Sequence, residues 1–174
     1  MSRVLASASV VGFSGSRSVP CPESAAAVRR ALAAVPASVS VHVGCAPGVD
    51  ELVRSLCPRA RVFWVAEVGF SGRGAFARRS QLCVESIAVP GGVWVSFPAG
   101  ACPAGLLPSA SAARCFSGFG SGSWASLAFA AGLGIACLLF LPPGVTAPAG
   151  WGFVAGGGGW FFRPAAVVAQ LFLF

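Results

Sequence analysis

Short apolar runs alternate with turn and helix segments along most of this chain. Each run is followed by a turn marked by Gly or Ser and then by a segment of helical composition. Strands that are apolar throughout are typical of a parallel sheet that is covered on both faces. The pattern therefore predicts an α/β domain over residues 1–150, with an open parallel sheet and helices on both faces. The predicted strands are 9–13, 39–44, 60–66, 92–98 and 135–143, and the predicted helices are 23–35, 45–56, 72–88 and 120–134.

The segment 124–143 is uncharged and has the length of a membrane span, about 20 residues. Gly132 and Gly134 interrupt it in the middle, and Pro142 with Pro143 closes it. A single membrane helix does not account for these interruptions, whereas a helix, a Gly turn and a strand do. We therefore expect a buried helix followed by a strand, and no membrane partner.

Two segments, an internal connection and the C-terminal tail, depart from this alternation of strands and helices. The connection 99–119 is rich in Pro, Ala, Ser and Gly, and it is predicted to be irregular. The tail 151–174 contains four consecutive glycines and is apolar to its last residue. An apolar terminus of this kind is expected to pack on its own domain or on a sister subunit.

The composition adds expectations about partners. The chain is 56% hydrophobic and only 10% charged, which leaves little charged surface to keep it monomeric and predicts a homo-oligomer, up to a large assembly. Its 12 cations are all Arg, and the net charge of +7 favours an anionic partner. The longest basic runs are only the pairs Arg29 with Arg30 and Arg78 with Arg79. A nucleotide-like small molecule fits this sparse pattern better than a nucleic acid, which stays an alternative.

The cysteines give no sign of a metal site. The seven cysteines include no C-x-x-C pair, and the single histidine, His42, is far from any pair of them. The pattern therefore favours reduced thiols in a cytoplasmic protein, with no disulfide framework, no metal and no cofactor. The N-terminal segment is broken by Ser7, Ser9 and Gly12, and it is a poor match to a secretory signal.

Glycine and serine recur in three loops at equivalent places, 12–18, 44–51 and 118–124. Each loop follows a predicted strand or precedes a predicted helix. Ligands of open parallel sheets bind at the carboxyl ends of strands, where backbone N–H groups at helix N-termini favour phosphate. The hydroxyls of Ser14, Ser16, Ser121 and Ser123 add donors to these loops.

The order of these motifs resembles the SLOG superfamily, the Rossmann-like group that includes the DNA-processing protein DprA and the LOG phosphoribohydrolases. The resemblance covers roughly residues 9–143, through G-S-R-S, G-C-A-x-G-V-D, R-R-S and G-S-G-S-W. It implies a Rossmann-like fold and a pocket for a nucleotide or nucleotide derivative. Phosphate would lie between loops 15–17 and 120–123, Arg78 or Arg79 would neutralise charge, and Asp50 would contact a sugar or merely favour the helix start. The implied pocket residues are Gly15, Ser16, Arg17, Gly44, Gly48, Asp50, Arg78, Arg79, Gly120, Ser121, Gly122 and Ser123.

The expected function is a nucleotide-binding or sensing module that acts in a homo-oligomer. LOG enzymes carry a glutamate soon after their P-G-G-x-G-T loop, whereas loop 120–123 is followed here by no carboxylate. This departure favours binding over turnover, and no catalytic residue is predicted. Two alternatives stay open: a LOG-like nucleotide-processing hydrolase and a self-assembling structural protein.

Overall fold

The computed structural model describes residues 1–19 and 21–166, which form helices and strands in alternation. The helices are α1 Ser2–Ala6, α2 Pro22–Ala33, α3 Val49–Leu56, α4 Arg73–Glu85, α5 Ala112–Cys115 and α6 Gly122–Gly132, with a 3-10 turn at Val65–Val68. The strands are β1 Val10–Gly15, β2 Ser40–Gly44, β3 Arg61–Phe63, β4 Gly92–Phe97, β5 Ala136–Phe140, β6 Val154–Gly157 and β7 Trp160–Arg163.

One sheet of seven strands contains all of them, in the order β3-β2-β1-β4-β5-β7-β6. Strands β1 to β5 are parallel, with Phe13 of β1 opposite Val43 of β2 and Val95 of β4. The chain builds β2 and β3 on one side of β1 and then crosses to place β4 and β5 on the other. The point between β1 and β4 is therefore the topological switch point of the sheet, where open α/β folds bind ligands.

Alternate side chains of the strands pack on opposite layers of helices. Val11 and Phe13 belong to the core cluster that includes residues of α2 and α3. Trp94 and Leu139 belong to a second cluster, with residues of α4 and α6. The predicted α/β fold, Rossmann-like and with helices on both faces, is thus confirmed, although two antiparallel strands make the sheet mixed.

Strands β6 and β7 extend the sheet in a region where the sequence predicted no strand. The four glycines 156–159 are typical of a loop, but Gly156 and Gly157 end strand β6. Gly158 and Gly159 form the turn of a hairpin whose second strand, β7, pairs antiparallel with β5. Trp160 of β7 is buried, and its ring centroid lies 5.2 Å from that of Phe140 and 5.6 Å from that of Phe97. The last part of the predicted tail, 167–174, lies outside the described residues.

The uncharged segment 124–143 folds as the interruptions in its sequence predict. Helix α6 ends at Gly132, and strand β5 begins at Ala136. Among residues 1–19 and 21–166, no helix has the length and apolar character needed to cross a membrane.

The packing between β1 and β4 yields a first prediction. A Cβ at Gly12 would overlap the ring of Trp94 and lie 2.8 Å from Cγ1 of Ile87. Since both neighbours are buried, we expect Gly12→Ala to lower the free energy of unfolding by about 1–3 kcal/mol. Chemical denaturation measures this change. Gly100→Ala is the matched control, because a Cβ at Gly100 would meet no atom within 4 Å, and equal losses in the two variants would contradict the packing argument.

Candidate binding cleft

A cleft of about 860 Å³ opens at the carboxyl ends of β1 and β4. Its walls come from the loops after β1 and β2, from helix α4, and from the N-terminal end of α6 with the segment that precedes it. Its volume lies within the range of small-molecule sites, and its place is the switch point of the sheet.

Most residues that the sequence predicted for the pocket line this cleft. They are Gly15, Ser16, Arg17, Gly44, Asp50, Arg79, Gly120, Ser121, Gly122 and Ser123. Gly48 lies behind the loop after β1, where its φ of 77° and its lack of a side chain let helix α3 approach closely. There the N–H of Val49 donates to the carbonyl of Ser16 at 3.1 Å. The predicted Arg78 is directed away from the cleft, and its Nη1 lies 3.8 Å from Oε2 of Glu85.

A buried ion pair forms one wall of the cleft. Nη1 of Arg79 on α4 donates to Oδ2 of Asp50 on α3 at 3.2 Å, and these residues are only 8% and 4% exposed. The two helices pack on opposite faces of the sheet, so the pair spans its carboxyl edge at the end of β2. Any side chain at Gly44 would overlap the guanidinium of Arg79, which explains why a glycine ends this strand.

Further hydrogen bonds hold the loop beside this pair. The N–H of Ala46 donates to Oδ2 of Asp50 at 3.3 Å, and Nη1 of Arg54 donates to the carbonyls of Gly44 and Ala46 at 2.8 and 3.0 Å. Burial is the largest influence on the pKa of Asp50 and raises it above its usual value, while the Arg79 guanidinium and the Ala46 N–H act in the opposite direction.

Serine hydroxyls connect the two central strands to helix α6. Ser14 donates to Ser96 at 3.3 Å, and Ser96 donates to the carbonyl of Ser123 at 3.4 Å. The hydroxyl of Ser121 lies 3.2 Å from that of Ser123 and accepts from the N–H of Trp124 at 3.5 Å, which caps the helix. Ser96 was not among the predicted site residues, although a single serine near the end of an otherwise apolar strand was a usable signal.

The mouth of the cleft combines a cation with aromatic rings. Cζ of the exposed Arg17 lies 5.2 Å from the ring centroid of Phe76, a cation–π distance. Phe116 and Phe119 line the cleft from the segment before α6. None of these three phenylalanines was predicted, because they follow no motif and enter the cleft only through the fold.

Two buried donors in residues that line the cleft have no partner among the described residues. They are Nε of Arg79 and Nε1 of Trp94, and both are shielded from solvent. Buried donors are nearly always satisfied, so these two are exceptions. Because both atoms are shielded, they do not face the open cavity, and a ligand there would not reach them in this arrangement of side chains.

The thiols and the histidine contribute no reactive group to the described part of the cleft. Cys83 and Cys115 line the cleft, and burial raises the pKa of both thiols, that of Cys83 far above the usual value, which keeps them neutral. His42 lies outside the lining, with Nδ1 2.8 Å from the hydroxyl of Ser86 and Nε2 3.0 Å from that of Ser40. Within residues 1–19 and 21–166, no three His, Cys, Asp or Glu side chains are grouped as a metal site would require.

The fold and the cleft together define an α/β protein with a donor-rich cavity at the switch point of its sheet. Comparison with protein-family models, curated proteins and solved structures found no match for this chain. The resemblance to the SLOG superfamily therefore rests on the sequence motifs alone.

The positions of Arg78 and Arg79 yield the second prediction. Arg79→Ala leaves the buried Asp50 carboxylate unpaired, so we expect the free energy of unfolding to fall by roughly 3 kcal/mol. Arg78→Ala is the matched control and should cost less than about 1 kcal/mol, because that ion pair is exposed. Urea denaturation measures the free energy of unfolding of both variants. Equal losses would contradict the assignment of Arg79 to the buried ion pair and of Arg78 to the exposed one.

The pH dependence of the folding stability of Arg79→Ala should show that the unpaired Asp50 carboxylate causes the loss. Without the guanidinium, the folded-state pKa of Asp50 is raised further above the unfolded value of about 4. The contribution of Asp50 to the free energy of unfolding is then fully present below about pH 4, and it is lost as the pH rises through the folded-state pKa. A loss of stability that is the same at acidic and neutral pH would contradict this cause.

Proposed function

We propose that this chain binds a nucleotide or nucleotide derivative in the cleft and acts as a binding or sensing module in a homo-oligomer. The observation that carries the proposal is the meeting of Gly/Ser loops, Arg17 and Arg79 at the switch point of the sheet. Phosphate is the ligand group that this combination of guanidinium, hydroxyl and backbone donors suits best.

The phosphate group is assigned to the space between loops 15–17 and 120–123. The first N–H groups of α6, at Gly122 and Ser123, have no partner within the helix, and they border the cleft. Arg17 and the hydroxyl of Ser121 supply further donors on this side. These groups come from two elements that the serine network holds together, so they can surround an anion without a large rearrangement.

The aromatic part of a nucleotide suits the outer side of the cleft. Phe76, Phe116 and Phe119 offer ring surfaces there, and the space of about 860 Å³ accommodates a base and a ribose beside the phosphate. A small anion alone would leave these surfaces uncovered.

Turnover of the ligand is less well supported than binding. The first turn of α6 carries no carboxylate, and the carboxylate that lines the described cleft, Asp50, is engaged by Arg79 and Ala46. A general acid must carry a proton and point it at the ligand. Oδ2 of Asp50 instead accepts hydrogen bonds from two protein groups, so it is not placed to donate a proton to the ligand. These contacts favour binding of the ligand over its hydrolysis.

Association of copies is favoured by strand β6 at the edge of the sheet. All four of its residues, Val154–Gly157, are exposed and uncharged, and Val154 is 66% exposed. Among the described residues, β7 is the strand that pairs with β6, and an uncharged edge strand of this kind is a template for pairing with another chain. We assign the proposed homo-oligomer contact to this edge.

The third prediction concerns the ligand. We expect native mass spectrometry of the purified chain to detect a bound nucleotide, which denaturation releases for identification. Arg17→Ala should lower its occupancy at least about tenfold through the loss of a charge-assisted contact. Arg30→Ala removes the same charge from the exposed side of α2 and should retain the nucleotide. An empty wild-type cleft that also fails to bind added nucleotides would contradict the proposal.

The fourth prediction concerns the assembly. A lysine on an edge strand opposes edge-to-edge pairing, so Val154→Lys should shift the particle mass toward the monomer. Val89→Lys adds the same charge at another exposed valine, outside the strands, and should leave the mass unchanged. Light scattering coupled to gel filtration measures the particle mass of both variants. Identical masses for wild type and Val154→Lys would rule out β6 as the contact between copies.

A further inference from the structure

The described part of the cleft is poor in charge although it is rich in hydrogen-bond donors. Its charged lining side chains are Arg17, Arg79 and Asp50, so two guanidinium groups and one carboxylate leave one net positive charge. Asp50 is fixed in this lining by its contacts with Arg79 and the Ala46 N–H, and it cannot turn away to solvent without breaking both. The low charge is therefore a built property of the cleft.

Two further arginines near the cleft, Arg54 and Arg78, do not add to the net charge of its lining. Nη1 of Arg54 is bound to the carbonyls of Gly44 and Ala46 behind the loop, and Arg54 does not line the cleft. Arg78 is directed to Glu85 on the outside of α4. The donors that remain are neutral: they are serine hydroxyls and the first-turn N–H groups of α6.

Asp50 is the single carboxylate in the described lining of the cleft. A chain of several phosphates usually binds together with Mg²⁺, which needs carboxylate or similar oxygen ligands. Oδ2 of Asp50 already accepts from Arg79 and Ala46. A polyphosphate with its metal therefore matches this lining poorly.

We infer that the cleft selects a nucleotide whose phosphate is a diester with a single negative charge, and that Asp50 is the residue that sets this selectivity. The inference rests on the proposed nucleotide-binding function and adds the charge class of the ligand. A diester phosphate receives one balancing charge and several neutral donors, which is what the lining contains. The second charge of a phosphate monoester would be removed from water without a partner.

The experiment compares pairs of ligands with the same base. Each pair consists of a nucleoside 3′,5′-cyclic monophosphate, with one negative charge, and the corresponding 5′-monophosphate, with about two at about pH 8. Isothermal titration of the full chain at this pH, which favours the ionised form of Asp50, is run with A, G, C and U pairs. We expect the preferred base to bind about tenfold more tightly as the cyclic diester.

Two matched variants test the role of Asp50. Asp50→Asn keeps the shape of the side chain and an acceptor for the Ala46 N–H, but adds one net positive charge to the cleft. It should reverse or abolish the preference for the cyclic diester. Glu51→Gln changes the charge of the same helix at an exposed position outside the lining, and it should keep the preference.

A second pair of variants applies if Asp50→Asn does not fold. Arg17→Gln removes the net positive charge and should weaken the binding of both ligands at least about tenfold, while Arg30→Gln should weaken neither. Circular dichroism checks that each variant is folded before it is titrated.

The outcomes separate the two proposals. If no member of any pair binds, the proposed function fails and the inference fails with it. If the 5′-monophosphate binds as tightly as the cyclic diester or more tightly, nucleotide binding stands and the charge inference is overturned. If the diester is preferred equally in wild type and in folded Asp50→Asn, Asp50 does not set the selectivity.

Discussion

The cleft depends on the buried ion pair between Asp50 and Arg79. It joins helices from opposite faces of the sheet across the carboxyl end of β2, where Gly44 leaves room for the guanidinium. Two charges removed from water are tolerated only while both partners are present, so the pair holds the two helices in one arrangement. The same pair limits the net charge of the cavity, and one contact thus determines both the shape and the electrostatics of the site.

Much of the fold could be predicted because the strands are marked by local patterns. The apolar runs identified β1 to β5, and Gly132 and Gly134 correctly separated α6 from β5. The hairpin β6–β7 could not be predicted, since its run of four glycines is typical of a loop and its stability comes from Trp160 packing on distant rings. The short helices α1 and α5 were also missed, because neither has the length for a helical period to be recognised.

The part of the candidate site that is formed by loops could be predicted from the sequence. The part that depends on contacts between helices on opposite faces of the sheet could not. Glycine and serine between strand and helix located the three loops that line the cleft. The sequence could not distinguish Arg78 from Arg79, since neighbouring positions on a helix differ by about 100° in direction and only tertiary packing selects one. It also could not pair Arg79 with Asp50, because 29 residues separate them and the contact exists only once both helices pack.

The measurement that tests the central claim most directly is an NMR titration of the full chain with nucleoside 3′,5′-cyclic monophosphates. Backbone amides report the place of binding residue by residue. The account predicts that the largest shift changes fall in 15–17, 44–50 and 120–123. Changes centred elsewhere, for example in the cavity between α2 and α3 that Leu32 and Leu56 line, would contradict it.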